Sequence, residues 1–127
     1  MLFAIGAIGL TLLLLSGLPQ RGLAPPWWVL AAMATMFLAF SVGVVVAEGP
    51  FGVVAEHTRT FWSTQIWFDL LLAACTGWFA WLPRARAVGM RLPLWAILIV
   101  ATGSIGLLAM SARIVFLEQR AERATAT

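Results

Sequence analysis

Residues 27–47 read WWVLAAMATMFLAFSVGVVVA, twenty-one positions without a formal charge, entered through Pro25-Pro26 and closed by Glu48-Gly49-Pro50. At a rise of about 1.5 Å per residue, such a run is as long as the hydrocarbon core of a bilayer is thick. Lipid offers no partner to an unpaired backbone amide, so an open-ended spanning segment has to be a helix. Proline at the entrance and a charge with a Gly-Pro turn at the exit mark its two ends.

Three further apolar runs extend this reading to the whole chain. They cover about 1–18, ended by Pro19-Gln20-Arg21; 61–82, ended by Pro83-Arg84; and 92–117, followed by Glu118-Gln119-Arg120. The expected fold is therefore all-α, a four-helix transmembrane bundle forming one integral membrane domain over 1–127. Composition agrees: of 127 residues 62% are hydrophobic and 10% charged, too few charges for a water-exposed surface. The first run has no basic residue before it and Leu18-Pro19-Gln20 makes a poor cleavage context, so it reads as a retained helix and not as a signal peptide. Trp27-Trp28, Trp62, Trp78, Trp81 and Trp95 fall near run ends, where indole rings favour the membrane interface.

All eight basic residues are arginines; with five acids they leave a net charge of +3, scattered over loops. That excludes the massed basic face of a nucleic-acid binder. The lack of lysine points to a GC-rich, bacterial coding sequence and hence to the inner membrane as the compartment. With four alternating spans, Arg21, Arg84, Arg86 and Arg91 face one side and Arg59, Arg120 and Arg123 the other. The positive-inside rule then puts both termini outside the cytoplasm, although counting Arg113 levels the two sides. A single Cys75 rules out an internal disulfide and reads as an apolar filler. One histidine and one cysteine do not make a structural metal site, and no cofactor motif is present.

Two ionisable residues stand inside the runs, Asp69 and Arg113, and a charge near the bilayer centre costs about 2.5–3.5 kcal/mol on insertion scales. With alternating spans, Asp69 lies about 12 Å and Arg113 about 6 Å below the same membrane side. The spacing thus predicts an ion pair, with Gln65, Asp69, Leu72 and Thr76 sharing one helix face. Above them the segment from Glu48 to Thr60 adds Glu48, Glu56, His57 and Arg59. These residues outline a mouth for an apolar or amphipathic molecule, with Glu48, Arg59, Gln65, Trp67 and Arg113 as ligand-binding candidates. Asp69, His57 and Glu56 are the candidates for acid–base chemistry. The plainer readings are a buried pair that fixes helix register and a solvated loop histidine. Small residues at Ala31, Thr35, Ala39 and Gly43, and at Thr102 and Gly106, read as helix-packing seams.

The segment Trp67-Phe68-Asp69-Leu70-Leu71, the basic turn Arg84 to Arg91, and a last helix with Thr102-Gly103-Ser104-Ile105-Gly106 ending in Phe116-Leu117-Glu118-Gln119-Arg120 resemble the small bacterial membrane proteins of domain-of-unknown-function family 2834. The likeness covers about 28–123; the first helix and Arg113 depart from it. It implies a helical membrane bundle and brings no reaction. Three functions follow from the residues. The first is an accessory or assembly subunit of a larger membrane complex, or a homo-oligomer. The second is an enzyme that protonates a lipid-phase, isoprenoid-like substrate from Asp69, with Trp62, Trp67 and Phe68 stabilising the cation. The third is a small oligomeric transporter subunit.

Overall fold

The computed structural model describes residues 25–125, and every regular element among them is an α-helix. They are α1 (Trp27–Glu48), α2 (Gly52–His57), α3 (Phe61–Ala87), α4 (Leu92–Thr102) and α5 (Ser104–Thr125). The helix expected over 1–18, together with Arg21, lies outside the described residues. Two of the helices, α1 and α3, are long and apolar enough to cross a membrane.

The run at 27–47 forms α1 with its expected bounds to within a residue. Pro26 precedes its first turn, where a missing N–H costs nothing, and Gly49 ends it. The segment Glu48 to Thr60, read as a loop, holds the short helix α2. Thr60 then caps α3, its Oγ1 accepting from the Ser63 amide at 3.1 Å. This satisfies one of the amides orphaned at a helix start.

The third helix runs past its expected end at Leu82, through Pro83 to Ala87. Pro83 removes one intrahelical bond, and tertiary packing outweighs the loss. Ala85 is fully buried against Ile99, Met110 and Ile114. The neighbouring Arg84 is tied to Glu118.

The larger correction concerns 92–117, which is not one helix. It breaks at Gly103, whose φ of 60° and ψ of −123° lie in a region open to glycine and closed to other L-residues. The chain reverses there, so α4 and α5 form a hairpin. Its two arms touch at Gly106: a Cβ at that position would lie 2.9 Å from the backbone of Leu98 and Ile99. The small residue read as a seam toward another helix thus lets the chain fold back on itself. With eleven residues, α4 is about 16 Å long, near half of the hydrocarbon thickness. The four-span bundle is accordingly not what the described residues build. Two helices long and apolar enough to span, α1 and α3, and a short hairpin take its place.

The reversal sets the layout. Trp27 meets Phe116 edge to face at 5.4 Å, and Leu30 packs on Ala112 and Val115, so α1 runs antiparallel to α5. Gly77 lies beside Leu107, and Arg84 beside Glu118, so α3 and α5 run side by side in one direction. The ends of α3 and α5 and the starts of α1 and α4 share one end of the molecule, called here the arginine end. The buried side chains sit toward it, with Met110 and Ile114 fully enclosed. Beyond the hairpin tip, α1 past Leu38 and α3 before Ala74 have no buried residue.

Candidate functional site

At the arginine end one ion pair ties two helices together. Arg84 Nε donates to Glu118 Oε1 at 2.9 Å and Nη2 donates to Oε2, a two-pronged pair across 34 residues of sequence. The guanidinium also stacks on Trp81, its Cζ 4.4 Å from the ring centroid. Planar, bidentate recognition of this kind suits arginine and not lysine. Spacing on the sequence places Arg84 and Glu118 on opposite membrane sides; the turn at Gly103 brings them together. The three residues Thr102-Gly103-Ser104, all poor helix formers, were the available sign.

At the opposite end, part of the expected mouth assembles. His57 Nδ1 lies 2.7 Å from the Val53 carbonyl oxygen. A carbonyl only accepts, so Nδ1 is the donor of this bond. The ring meets Trp67 edge to face at 4.9 Å. Thr64 Oγ1 donates to the His57 carbonyl at 3.1 Å, tying α2 to α3. A cavity of about 310 Å³ opens beside His57, Trp67 and Phe68. Glu56 instead pairs with Arg59, 3.6 Å apart and largely exposed. Glu48 ends α1 on the same side, beside Gly52.

The ion pair expected between Asp69 and Arg113 does not form. Among the described residues neither Asp69 nor Gln65 makes a side-chain hydrogen bond or an ion pair, and both are exposed on the outer half of α3. The hairpin is the reason. Because α5 starts near mid-depth and heads for the arginine end, Arg113 lies roughly 15–20 Å from Asp69 along the bundle. Thr76, on the same face as Asp69, turns its hydroxyl back to the Leu72 carbonyl at 2.8 Å.

Arg113 instead stands at one end of a second cavity, a cleft of about 590 Å³ between α1 and the hairpin. Its guanidinium carbon lies 5.7 Å from the centroid of the Phe116 ring. Ala31, Ala34 and Leu38 of α1 form one wall, and Ile105 and Ala109 the other. This cleft was not legible in the sequence, which offered Arg113 to the other mouth. Asp69 lines neither cavity. Among the described residues no three His, Cys, Asp or Glu side chains come together as metal ligands.

No family model, no curated protein and no solved structure matches the chain.

Proposed function

We propose that the chain is a multi-pass protein of the bacterial inner membrane that serves as a non-enzymatic accessory or assembly subunit of a larger membrane complex. The observation that carries this reading is Asp69. It is a carboxylate in mid-span, exposed, without a partner among the described residues, on a helix whose only buried residue is Ala85. Such a residue is too costly to leave facing hydrocarbon, and in membrane proteins it commonly meets a polar group of a neighbouring helix. Gln65 and Leu72 on the same face complete a strip open to docking. The likeness to domain-of-unknown-function family 2834 fits a small membrane bundle of this kind.

The hairpin also changes the side of the C-terminus. Arg84, Arg86, Arg91, Arg120 and Arg123 gather at one end, against Arg59 alone at the other among the described residues. The positive-inside rule then turns the arginine end, and the C-terminus with it, to the cytoplasm. The side expected for Arg84, Arg86 and Arg91 is kept, and the C-terminus alone moves from the outside to the cytoplasm.

One tagged protein tests both parts. It carries a C-terminal green fluorescent protein, which matures only in the cytoplasm, and a photo-crosslinking amino acid at Leu72 or, as control, at Leu94. Fluorescent cells and a discrete protein adduct from Leu72, absent from Leu94, are expected. Lipid adducts alone from Leu72 would sink the subunit reading, and dark but inserted protein would sink the orientation.

A further inference from the structure

We propose that the cleft between α1 and the α4–α5 hairpin binds an anionic phospholipid, the headgroup phosphate on Arg113 and one acyl chain along α1. The inference does not use the subunit reading, which concerns the opposite half of α3, and it rests on the membrane reading and orientation proposed above.

The walls define the chain site. Ala31, Ala34 and Ala109 line the cleft, and their short side chains leave its space unfilled. Leu38 and Ile105 close its deep end. The one hydroxyl in the walls, on Thr35, donates to the Ala31 carbonyl at 2.9 Å, so it asks nothing of a ligand. A volume of about 590 Å³ falls in the usual range for a small-molecule site and suits a chain better than a whole lipid.

The charge defines the head. Arg113 is the one cation in this lining. Arg84 and Arg59 are neutralised by Glu118 and Glu56, whereas Arg113 makes no ion pair among the described residues. Its guanidinium presents five N–H donors and no acceptor, a match for phosphate oxygens. It stands five residues below Glu118, about 7 Å, so its side chain reaches the headgroup level by extending along the cleft. Trp27 and Trp95, also in the lining, sit at the same depth, as interfacial indoles do. At the arginine end the leaflet met is the cytoplasmic one, whose surface is anionic.

The test uses the full chain, purified, delipidated and examined by native mass spectrometry. The probes are phosphatidylglycerol, phosphatidylcholine with the same acyl chains, and inorganic phosphate as competitor. Phosphatidylglycerol should be retained about fivefold over phosphatidylcholine, the weight of one arginine–anionic lipid contact. Arg113→Gln should erase the preference, Arg113→Lys should keep most of it, and Ala109→Trp, which fills the cleft, should reduce retention of both lipids. Thermal melting confirms that each variant is folded. An unchanged preference in Arg113→Gln overturns the proposal. So does full displacement by phosphate, which would mean a headgroup site without a chain. So does the absence of any retained lipid, which would mean that another part of the chain covers the cleft.

Discussion

At the arginine end the helices are held by packing, a hairpin and an ion pair; at the opposite end the same apolar residue types are held by very little within the described chain. Met110 and Ile114 are fully enclosed, while Val46 of α1 is 81% exposed and Phe61 of α3 is 96% exposed. Apolar side chains are abundant at both ends, so their presence alone does not separate the two. The hairpin tip does. Where α5 reaches, α1 and α3 have a common neighbour; past Gly103 they have none among the described residues. In water the open half would be an aggregation hazard, and in a bilayer it faces lipid or a partner.

The largest test of this contrast is a matched pair of glycine substitutions. Gly106→Leu drives a side chain into the Leu98–Ile99 backbone, where a Cβ alone would come within 2.9 Å. It should cost about 3 kcal/mol, the upper range for overpacking. Gly43→Leu, in the open half of α1, meets nothing within 4 Å. It should be neutral or slightly stabilising through better helix propensity. Unfolding in mixed micelles against a denaturing detergent reads both. Equal losses at the two sites would mean that the open half is closed by packing of its own.

These elements also show what the sequence carried. The bounds of α1, the start of α3 and the helical class were legible because long apolar runs form helices and proline, glycine and charge mark their ends. The split of 92–117 was not, since hydropathy counts apolar residues and is blind to their direction. One positive-φ glycine reversed α5, and with it which polar groups could meet. Arg113 therefore left the Asp69 neighbourhood, and Glu118 joined Arg84. His57 and Trp67 meet because both lie near the α2–α3 turn, where sequence distance still governs contact. The extension of α3 past Pro83 escaped for a related reason: it depends on Ala85 being buried by the hairpin.

An intermediate effect is expected at the ion pair. Glu118→Ala removes both bonds to Arg84, with the two side chains 29% and 39% exposed. Solvent screening limits the loss to about 1 kcal/mol. A double-mutant cycle with Arg84→Ala should return most of that as coupling energy. Arg84→Lys should recover little, since lysine lacks the fork that spans both carboxylate oxygens. A coupling indistinguishable from zero would detach the C-terminal end of α5 from α3 and weaken the division between the halves.

The smallest effect is expected at Asp69, and it separates the structure from the simplest reading of the sequence. Had Asp69 paired with Arg113, its loss would leave a buried arginine unpartnered, at a cost of about 3–5 kcal/mol. In the folded molecule Asp69 is exposed and the two lie on different halves, so Asp69→Leu should change the stability of the isolated protein by no more than about 0.5 kcal/mol. Arg113→Leu should add to it independently, within about 0.5 kcal/mol, as distant sites do. The measurement is the same detergent titration on the two single variants and the double. The cross-link from Leu72 supplies the complementary reading: Asp69→Leu should abolish the protein adduct while leaving the fold intact. A cycle showing more than about 1 kcal/mol of coupling would bring the two charges into one network. The hairpin at Gly103 would then be the feature to abandon.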